Sequence, residues 1–446
     1  MNYPEEAYEF DPLRRIGAEV VSLDEEGLRV RLDEPDLPAE MRVIVHRAGV
    51  NGEFDETLRL VEPGSRLNLV DVAVVGDALL PHYLVLEPDY LVDVSALAEC
   101  VQEYGAGWQR YFWNRIRPKA VTDSILLGNS VNLMFDELVT ADDCHAVTFE
   151  SLMPKLFARY PIEFAATSSI DRSFFQILRR QFDTLQYLME TLLPARAIDR
   201  RRAMVEPSFV CEALGLQGRL DFLQREGGLC GIELKAGRPP FPEENLTKIA
   251  PSHRVQSLLY QLMMQSVLGV RLDAQRFYLL YARSRYPEGL LRPVKSEPGE
   301  LRAILNLRNQ IVAAERDVAR YGAPQAEWLM SQLSVENLIP RPNRFTDRYI
   351  RPEMLERRAR LERRADNLLV LNYFYRFYAF VAREHYLSKV GYASGSGISG
   401  AASLWRMSRS EKEQEGYMFT GLRVVRNDAA GQTAEGQFVL GGARLL

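Results

Sequence analysis

The stretch 218–235, GRLDFLQREGGLCGIELK, constrains this chain more than any other segment. Two short apolar runs flank Gly227-Gly228, a dipeptide suited to a tight turn between antiparallel strands because glycine reaches positive φ without a side-chain penalty. Side chains alternate between the faces of a strand, so Glu233 and Lys235, two apart, project from the same face. Closing the hairpin brings Asp221, expected on the first strand, beside them. Two carboxylates and an ammonium then share one small volume.

That set points to a particular chemistry. Carboxylates without Cys or His are hard oxygen ligands, suited to Mg²⁺ or Mn²⁺ rather than to zinc. A divalent ion there activates water and stabilises charge on a phosphoryl group, and Lys235 adds a compact positive charge suited to phosphate. An isolated Glu-x-Lys pair on a strand is usually a solvated face. Here it follows a Gly-rich turn, with Asp221 at matching spacing, and a helix comes next. In that helix, HRVQSLLY, Gln256 and Tyr260 stand four apart and share one face.

The rest of the chain alternates between strand-like and helix-like patterning. Residues 1–92 read as a β-rich, barrel-like domain, with AEVVSL, GLRVRLDE, MRVIVHR and ETLRLVE as short apolar runs between turn residues. Residues 93–330 hold helical patterns, then the hairpin, the helix and a further strand, RFYLLYAR. A helical extension is expected over 331–392, and a flexible linker with a β-like tail over 393–446. The fold class expected is α/β: a central mixed sheet flanked by helices, framed by the N-terminal β-rich domain and the C-terminal helical and β extension.

Charge is uneven. Residues 1–100 hold 8 Lys/Arg against 22 Asp/Glu, so the remaining chain carries +9 within a total of −5. A basic body suits a polyanionic ligand. Residues 341–364 concentrate nine arginines among four acids, a pattern that fits either a phosphate-tracking surface or an ion-paired helix. The aromatic runs YFWNR and LNYFYRFYAF have helical spacing and are expected in the core. No run of about 18 apolar residues suggests a membrane span. The acidic start lacks the apolar stretch of a secretory signal, so a cytoplasmic location is expected. The four cysteines, Cys100, Cys144, Cys211 and Cys230, have no CxxC spacing and are expected as small buried thiols. His46, His82, His145 and His385 show no ligand spacing.

GRLD, IELK and HRVQSLLY resemble the core motifs of the RecB-like nucleases of the PD-(D/E)XK superfamily, and Gln256-Ser-Leu-Leu-Tyr260 matches that branch's Q-x-x-x-Y signature. The likeness is greatest to the nuclease half of the flap-processing replication helicase–nuclease family. It covers roughly residues 85–430 and is strongest over 204–285. SRSEKEQEGYMFTGLRVV resembles the segment that joins nuclease to helicase there. The resemblance implies a PD-(D/E)XK, restriction-endonuclease-like core in which Asp221, Glu233 and the Leu234 carbonyl ligate Mg²⁺ or Mn²⁺. Lys235 becomes the catalytic lysine, and Gln256 and Tyr260 organise the site. Glu206 stands where the family often has an acid on the preceding strand, and His253 and Arg254 open the helix where a phosphate would lie.

Two departures stand out. The family's G-x-x-x-H helix reads Gly128-Asn-Ser-Val-Asn132 here, so Asn132 replaces the metal-assisting His, with Glu137 further along the helix as an outer carboxylate. An iron–sulfur cluster is not expected, because no cysteine follows Cys230. DNA is the expected partner, single-stranded or flapped. No G-x-x-x-x-G-K-[ST] occurs, so a helicase or ATPase is expected on a separate chain or in a further part of this one. The alternatives are a degenerate nuclease fold that binds DNA or a partner, which Asn132 favours, and a sequence-specific duplex cutter, which the acidic front domain disfavours.

Overall fold

The computed structural model describes residues 10–24, 27–45, 54–116, 122–362, 367–391, 393–394, 397–398 and 400–423. The chain divides into two compact units, Met1–Glu384 and His385–Leu446.

The first unit opens with a closed barrel. Its strands are β1 (Asp11–Asp24), β2 (Gly27–Leu32), β3 (Glu40–Val43), β4 (Arg66–Val75) and β5 (Ala78–Leu86), in the order β1-β2-β3-β5-β4. Alternation fills the interior: Ile16, Ala18 and Val20 of β1 and Leu28 and Val30 of β2 are buried, together with Leu67 and Leu69 of β4. The run ETLRLVE is not a strand. Helix α1 (Phe54–Leu58) covers its first half, because Phe54, Leu58 and Val61 recur at helical spacing and all three are buried.

After β6 (Val92–Asp93) and α2 (Val94–Ala98), a small hairpin of β7 (Val101–Gln102) and β8 (Gly105–Ala106) leads into a helical layer. This comprises α3 (Gln109–Ile116), α4 (Asp123–Thr140), α5 (Phe149–Arg159), α6 (Pro161–Ala166) and α7 (Arg172–Tyr187), a π-helical turn (Leu188–Leu192) and α8 (Leu193–Ala195). Strands β9 (Ala203–Val205), β10 (Ser208–Cys211), β11 (Leu216–Arg219), β12 (Phe222–Gln224) and β13 (Cys230–Lys235) precede α9 (Pro251–Leu268), β14 (Arg276–Tyr281) and β15 (Leu291–Pro293).

The central sheet has the order β15-β14-β13-β12-β9, with β13 and β14 parallel and the other pairs antiparallel. Cys230, Ile232 and Leu234 of β13 belong to one buried cluster with residues of α4, α5 and α7. The alternate residues Glu233 and Lys235 therefore face the other side, where α9 lies. Strand β10 pairs with β11, and β11 with β6, in a separate sheet. The excursion from β9 to β12 thus leaves the central sheet and returns to it. Glu206, at the exit, takes a positive φ of 48°, which side chains other than glycine seldom adopt. Asp221, at the return, is a bend residue immediately before β12 rather than a strand residue.

Helices α10 (Pro298–Tyr321), α11 (Ala323–Gln332), α12 (Val335–Leu338), α13 (Arg351–Glu362) and α14 (Leu368–Val390) follow. Arg308 of α10 is fully buried and donates to the carbonyls of Leu86, Glu87, Tyr90 and Gly215, so one guanidinium joins the end of the barrel to the turn before β11. Gly215 is needed there, because a Cβ would fall 2.1 Å from the Arg308 Nη2 atom. Asn68 of β4 donates to Glu212 O and Ala213 O on the same joint.

The arginine-rich run lies mainly on α13. Asp347, Glu353 and Glu356 pair with Arg351, Arg357 and Arg360 at i,i+4 spacing, the pattern of an ion-paired helix. YFWNR supplies core, with Tyr111, Phe112 and Trp113 buried. LNYFYRFYAF does not: Tyr373, Phe374, Phe377 and Phe380 on α14 are exposed, and only Ala379 and Ala382 of that helix are buried. In the second unit, α15 (Ser403–Arg406) and α16 (Arg409–Gln414) occupy part of the expected linker. Ser408 and Glu411 form a capping box at the start of α16. Residues 415–423 contain no strand, and the remainder of the expected β-like tail lies outside the described residues.

Asp71 of β4 offers a test of this packing. It is buried at φ 53°, accepts from Gln265 Nε2 at 3.2 Å, and has its pKa pushed up to about 7, mainly by burial. A raised folded pKa stabilises below the unfolded value, and that contribution is lost as pH rises through about 7. Asp71→Asn, which tolerates the same backbone region, should raise stability at pH 8 by up to about 4 kcal/mol and have progressively less effect toward pH 4, from about 1.4 kcal/mol per pKa unit. Urea unfolding across pH 5–8 checks this; a pH-independent difference would contradict it.

Candidate active site

The hairpin register pairs Phe222 with Ile232 and Leu223 with Gly231, and its continuation sets Asp221 opposite Glu233. Asp221 Oδ2 accepts from Leu234 N at 2.6 Å, which fixes the carboxylate against β13. Lys235 Nζ donates to Glu233 Oε1 at 2.9 Å and to Gln256 Oε1 at 2.8 Å, while Gln256 Nε2 donates back to Glu233 Oε1 at 2.6 Å. Glu233, Lys235 and Gln256 thus form a closed ring of hydrogen bonds in which one Glu233 oxygen takes both donors. The other oxygen, Oε2, is buried without a partner.

Those carboxylates are held at electrostatic cost. Burial raises the pKa of Asp221 well above the ordinary range, and the facing charge of Glu233 raises it further. Burial also raises that of Glu233, with Lys235 opposing. Two unit charges about 4 Å apart repel by about 4 kcal/mol at an effective dielectric near 20. An orphaned carboxylate oxygen beside a second desolvated carboxylate fits a divalent cation held through oxygen. Asp221 and Glu233 are the side chains that could hold it, with the Leu234 carbonyl on the intervening backbone.

The pair opens into a cleft of about 470 Å³, lined also by Asp93, Ser95, Glu99, Asn132, Arg219, Ser252 and His253. Each wall has a local cause. Asp93 caps α2 by accepting from the Ser95 and Ala96 amides, which brings Ser95 to the cleft and within 3.4 Å of Gln256 Nε2. His253 sits in the first turn of α9 behind Pro251, and its Nδ1 lies 3.0 Å from Tyr281 Oη. Burial and Lys235 depress its pKa to about 3, so it is a neutral imidazole.

Other expected residues stand elsewhere. Arg254 does not line the cleft; its guanidinium is engaged by Glu300, at 2.7–3.1 Å, and by Lys295 O. Tyr260 is buried beneath the site, and its hydroxyl donates to Arg219 O at 2.6 Å, supporting the chain two residues before Asp221. Glu206 pairs with Arg219 at 3.0 Å rather than lining the cleft. Glu137 is paired with Lys155 at 2.6 Å.

A family model of the PD-(D/E)XK nuclease superfamily matches residues 103–334. The chain belongs to that superfamily. Its members are generally nucleases that use divalent metals such as Mg²⁺. No curated protein matches the chain. The superfamily match begins after Asp93, Ser95 and Glu99, so part of the cleft wall comes from outside it.

Asp136 escaped the sequence reading. It stands one helical turn beyond Asn132 on α4, and burial together with Glu206 pushes its pKa up to about 7. The signal was the i,i+4 spacing from Asn132, which favours Asp136 over Glu137 as the neighbour of the site. Asp93 was marked only by its place before a short apolar run.

The cost of the carboxylate pair is measurable. In EDTA at pH 8, Asp221→Asn should unfold at a higher temperature than wild type, by roughly 1 °C for each kcal/mol of repulsion relieved in a chain of this length, since the amide oxygen still accepts from Leu234 N. Below pH 4 the difference should vanish, because both folded pKa values are raised and wild type is protonated there. A lower melting temperature for the variant at pH 8 would contradict this reading.

Proposed function

We propose that the chain is a metal-dependent DNA nuclease that hydrolyses phosphodiester bonds, with Asp221 and Glu233 as metal ligands and Lys235 as the catalytic lysine. The observation that carries this reading is the partnerless buried oxygen of Glu233 beside Asp221, on a carboxylate whose other oxygen accepts from a positioned lysine. The Leu234 carbonyl, and the Asn132 amide from α4, complete the candidate ligand set; Asn132 replaces the usual histidine with a neutral oxygen donor. Mg²⁺ or Mn²⁺ bound there would supply electrophilic stabilisation of the phosphoryl group and activation of water.

The chain's own residues do the rest. Glu233 and Gln256 hold the Lys235 ammonium at a fixed point, so its charge meets the phosphate oxygens without reorganisation as negative charge builds. Gln256 in turn fixes which Glu233 oxygen is left free. Tyr260 keeps the backbone before Asp221 in place. His253, being neutral, contributes hydrogen bonding rather than charge. Asp93, Glu99, Asp221 and Glu233 outnumber Lys235 and Arg219 along the cleft, so a phosphate enters favourably only when the carboxylate charge is offset.

A single-stranded or flapped substrate is the reading that the likeness to flap-processing nucleases supports, and the cleft volume is on the scale of a small ligand. The same likeness supports a helicase partner, with the motor on another chain or in a further part of this one. Asn132 in the cleft favours a second reading, a weakly active fold that serves as a DNA-binding subunit.

End-labelled single-stranded, flapped and duplex DNA, incubated with Mg²⁺ or Mn²⁺, distinguishes the two. Cutting that EDTA stops and that Lys235→Ala slows by about 10²–10³-fold, the usual effect of removing one transition-state donor, is the expected result. DNA binding by the folded protein without cutting under either metal supports the second reading.

A further inference from the structure

We propose that Asp143, Cys144, His145 and Glu190 form a second metal site, separate from the catalytic carboxylates and selective for a borderline-soft transition metal, Zn²⁺ in the first place. Asp143, Cys144 and His145 are consecutive, and consecutive side chains ordinarily diverge. Here a turn closes on them: Ala146 N donates to Asp143 O at 3.2 Å and His145 N to Asp143 Oδ1 at 2.9 Å. As a result, donor atoms of the three side chains lie within 4.8 Å of one another.

Glu190, which touches His145, is the candidate fourth donor. His145 Nδ1 lies 3.0 Å from Glu190 Oε1. Glu190 stands in the π-helical turn, where Leu193 N–H bonds Leu188 O, an i+5 pairing that recurs at functional positions in helices. The Cys144 side chain is buried, at 7% exposure, at the edge of the hydrophobic cluster formed by the helical layer. Zinc bonds of 2.0–2.3 Å imply tetrahedral donor separations of roughly 3.3–3.8 Å; the three consecutive donors, within 4.8 Å of one another, must close in by about 1 Å, and the Glu190 side chain must turn toward them from its contact with His145.

The donor chemistry separates this site from the catalytic one. Thiolate and imidazole ligands favour zinc, whereas the carboxylates of Asp221 and Glu233 favour hard ions. The backbone around the site is already secured. Arg200 donates to Val139 O, Ala141 O and Asp142 O at the end of α4, and Gln186 of α7 donates to Val147 O. A bound ion would fasten the loop after α4, the helix that carries Asn132, to the turn after α7. Its role is structural, and it stands independently of the nuclease reading.

Cobalt reports on this directly. Purified full-length chain, stripped with chelator and titrated with Co²⁺, should take up one equivalent showing thiolate-to-cobalt charge-transfer absorption, which one equivalent of Zn²⁺ displaces. Cys144→Ser should abolish that absorption. His145→Ala and Glu190→Gln, at exposed or half-exposed positions where folding is not at stake, should each weaken Zn²⁺ binding at least tenfold, while Glu233→Gln should leave the cobalt band intact. Absence of the thiolate band in wild type, or unchanged Zn²⁺ affinity in both His145→Ala and Glu190→Gln, would overturn the proposal.

Discussion

Two carboxylates held face to face out of water are the constraint around which the nuclease body is arranged. Desolvation and mutual repulsion both favour the neutral forms of Asp221 and Glu233, so each needs fixed partners to stay in place. The partners come from three elements. Backbone register sets the two residues opposite one another, the Leu234 amide anchors Asp221, and α9 supplies Gln256 to a ring that also holds Lys235. Alternation along β13 does the remainder: Ile232 and Leu234 are buried with the helical layer while Glu233 and Lys235 face α9 and the cleft.

The wider fold stabilises that arrangement from outside. The return of the chain to the central sheet at Asp221 depends on the β10–β11 excursion, and Arg308 and Asn68 tie the turn within that excursion to the barrel. Tyr260 then props Arg219 from below, with Gly218 leaving room for its ring, since a Cβ there would lie 3.0 Å from it. The barrel is thereby joined to the hairpin that carries Asp221 and Glu233 by hydrogen bonds to main-chain carbonyls, which depend on backbone position more than on local sequence.

What could be read from the sequence was what is local. The Gly227-Gly228 turn, the two-residue spacing of Glu233 and Lys235, and the four-residue spacing of Gln256 and Tyr260 each fix a shared face without knowledge of the rest. Features set by distant partners could not be read this way. Arg254 is claimed by Glu300, 46 positions away, and Asp221 sits in a bend because the chain changes sheets there. The α2 wall reaches the cleft through tertiary packing, and the aromatic residues of α14 have core-like spacing but lie exposed. The cluster at Cys144 has no ligand spacing in the sequence, and Glu190, which meets His145 from a π-helical turn, stands 45 residues beyond it.

Calorimetric titration with Mn²⁺ asks whether the buried carboxylate pair holds a metal. The wild-type chain should show a binding event that disappears in Glu233→Gln and persists in Lys235→Ala, because the lysine neighbours the ligand without being one. Mn²⁺ binding that is unchanged in Glu233→Gln would mean that the carboxylate pair is not the metal site.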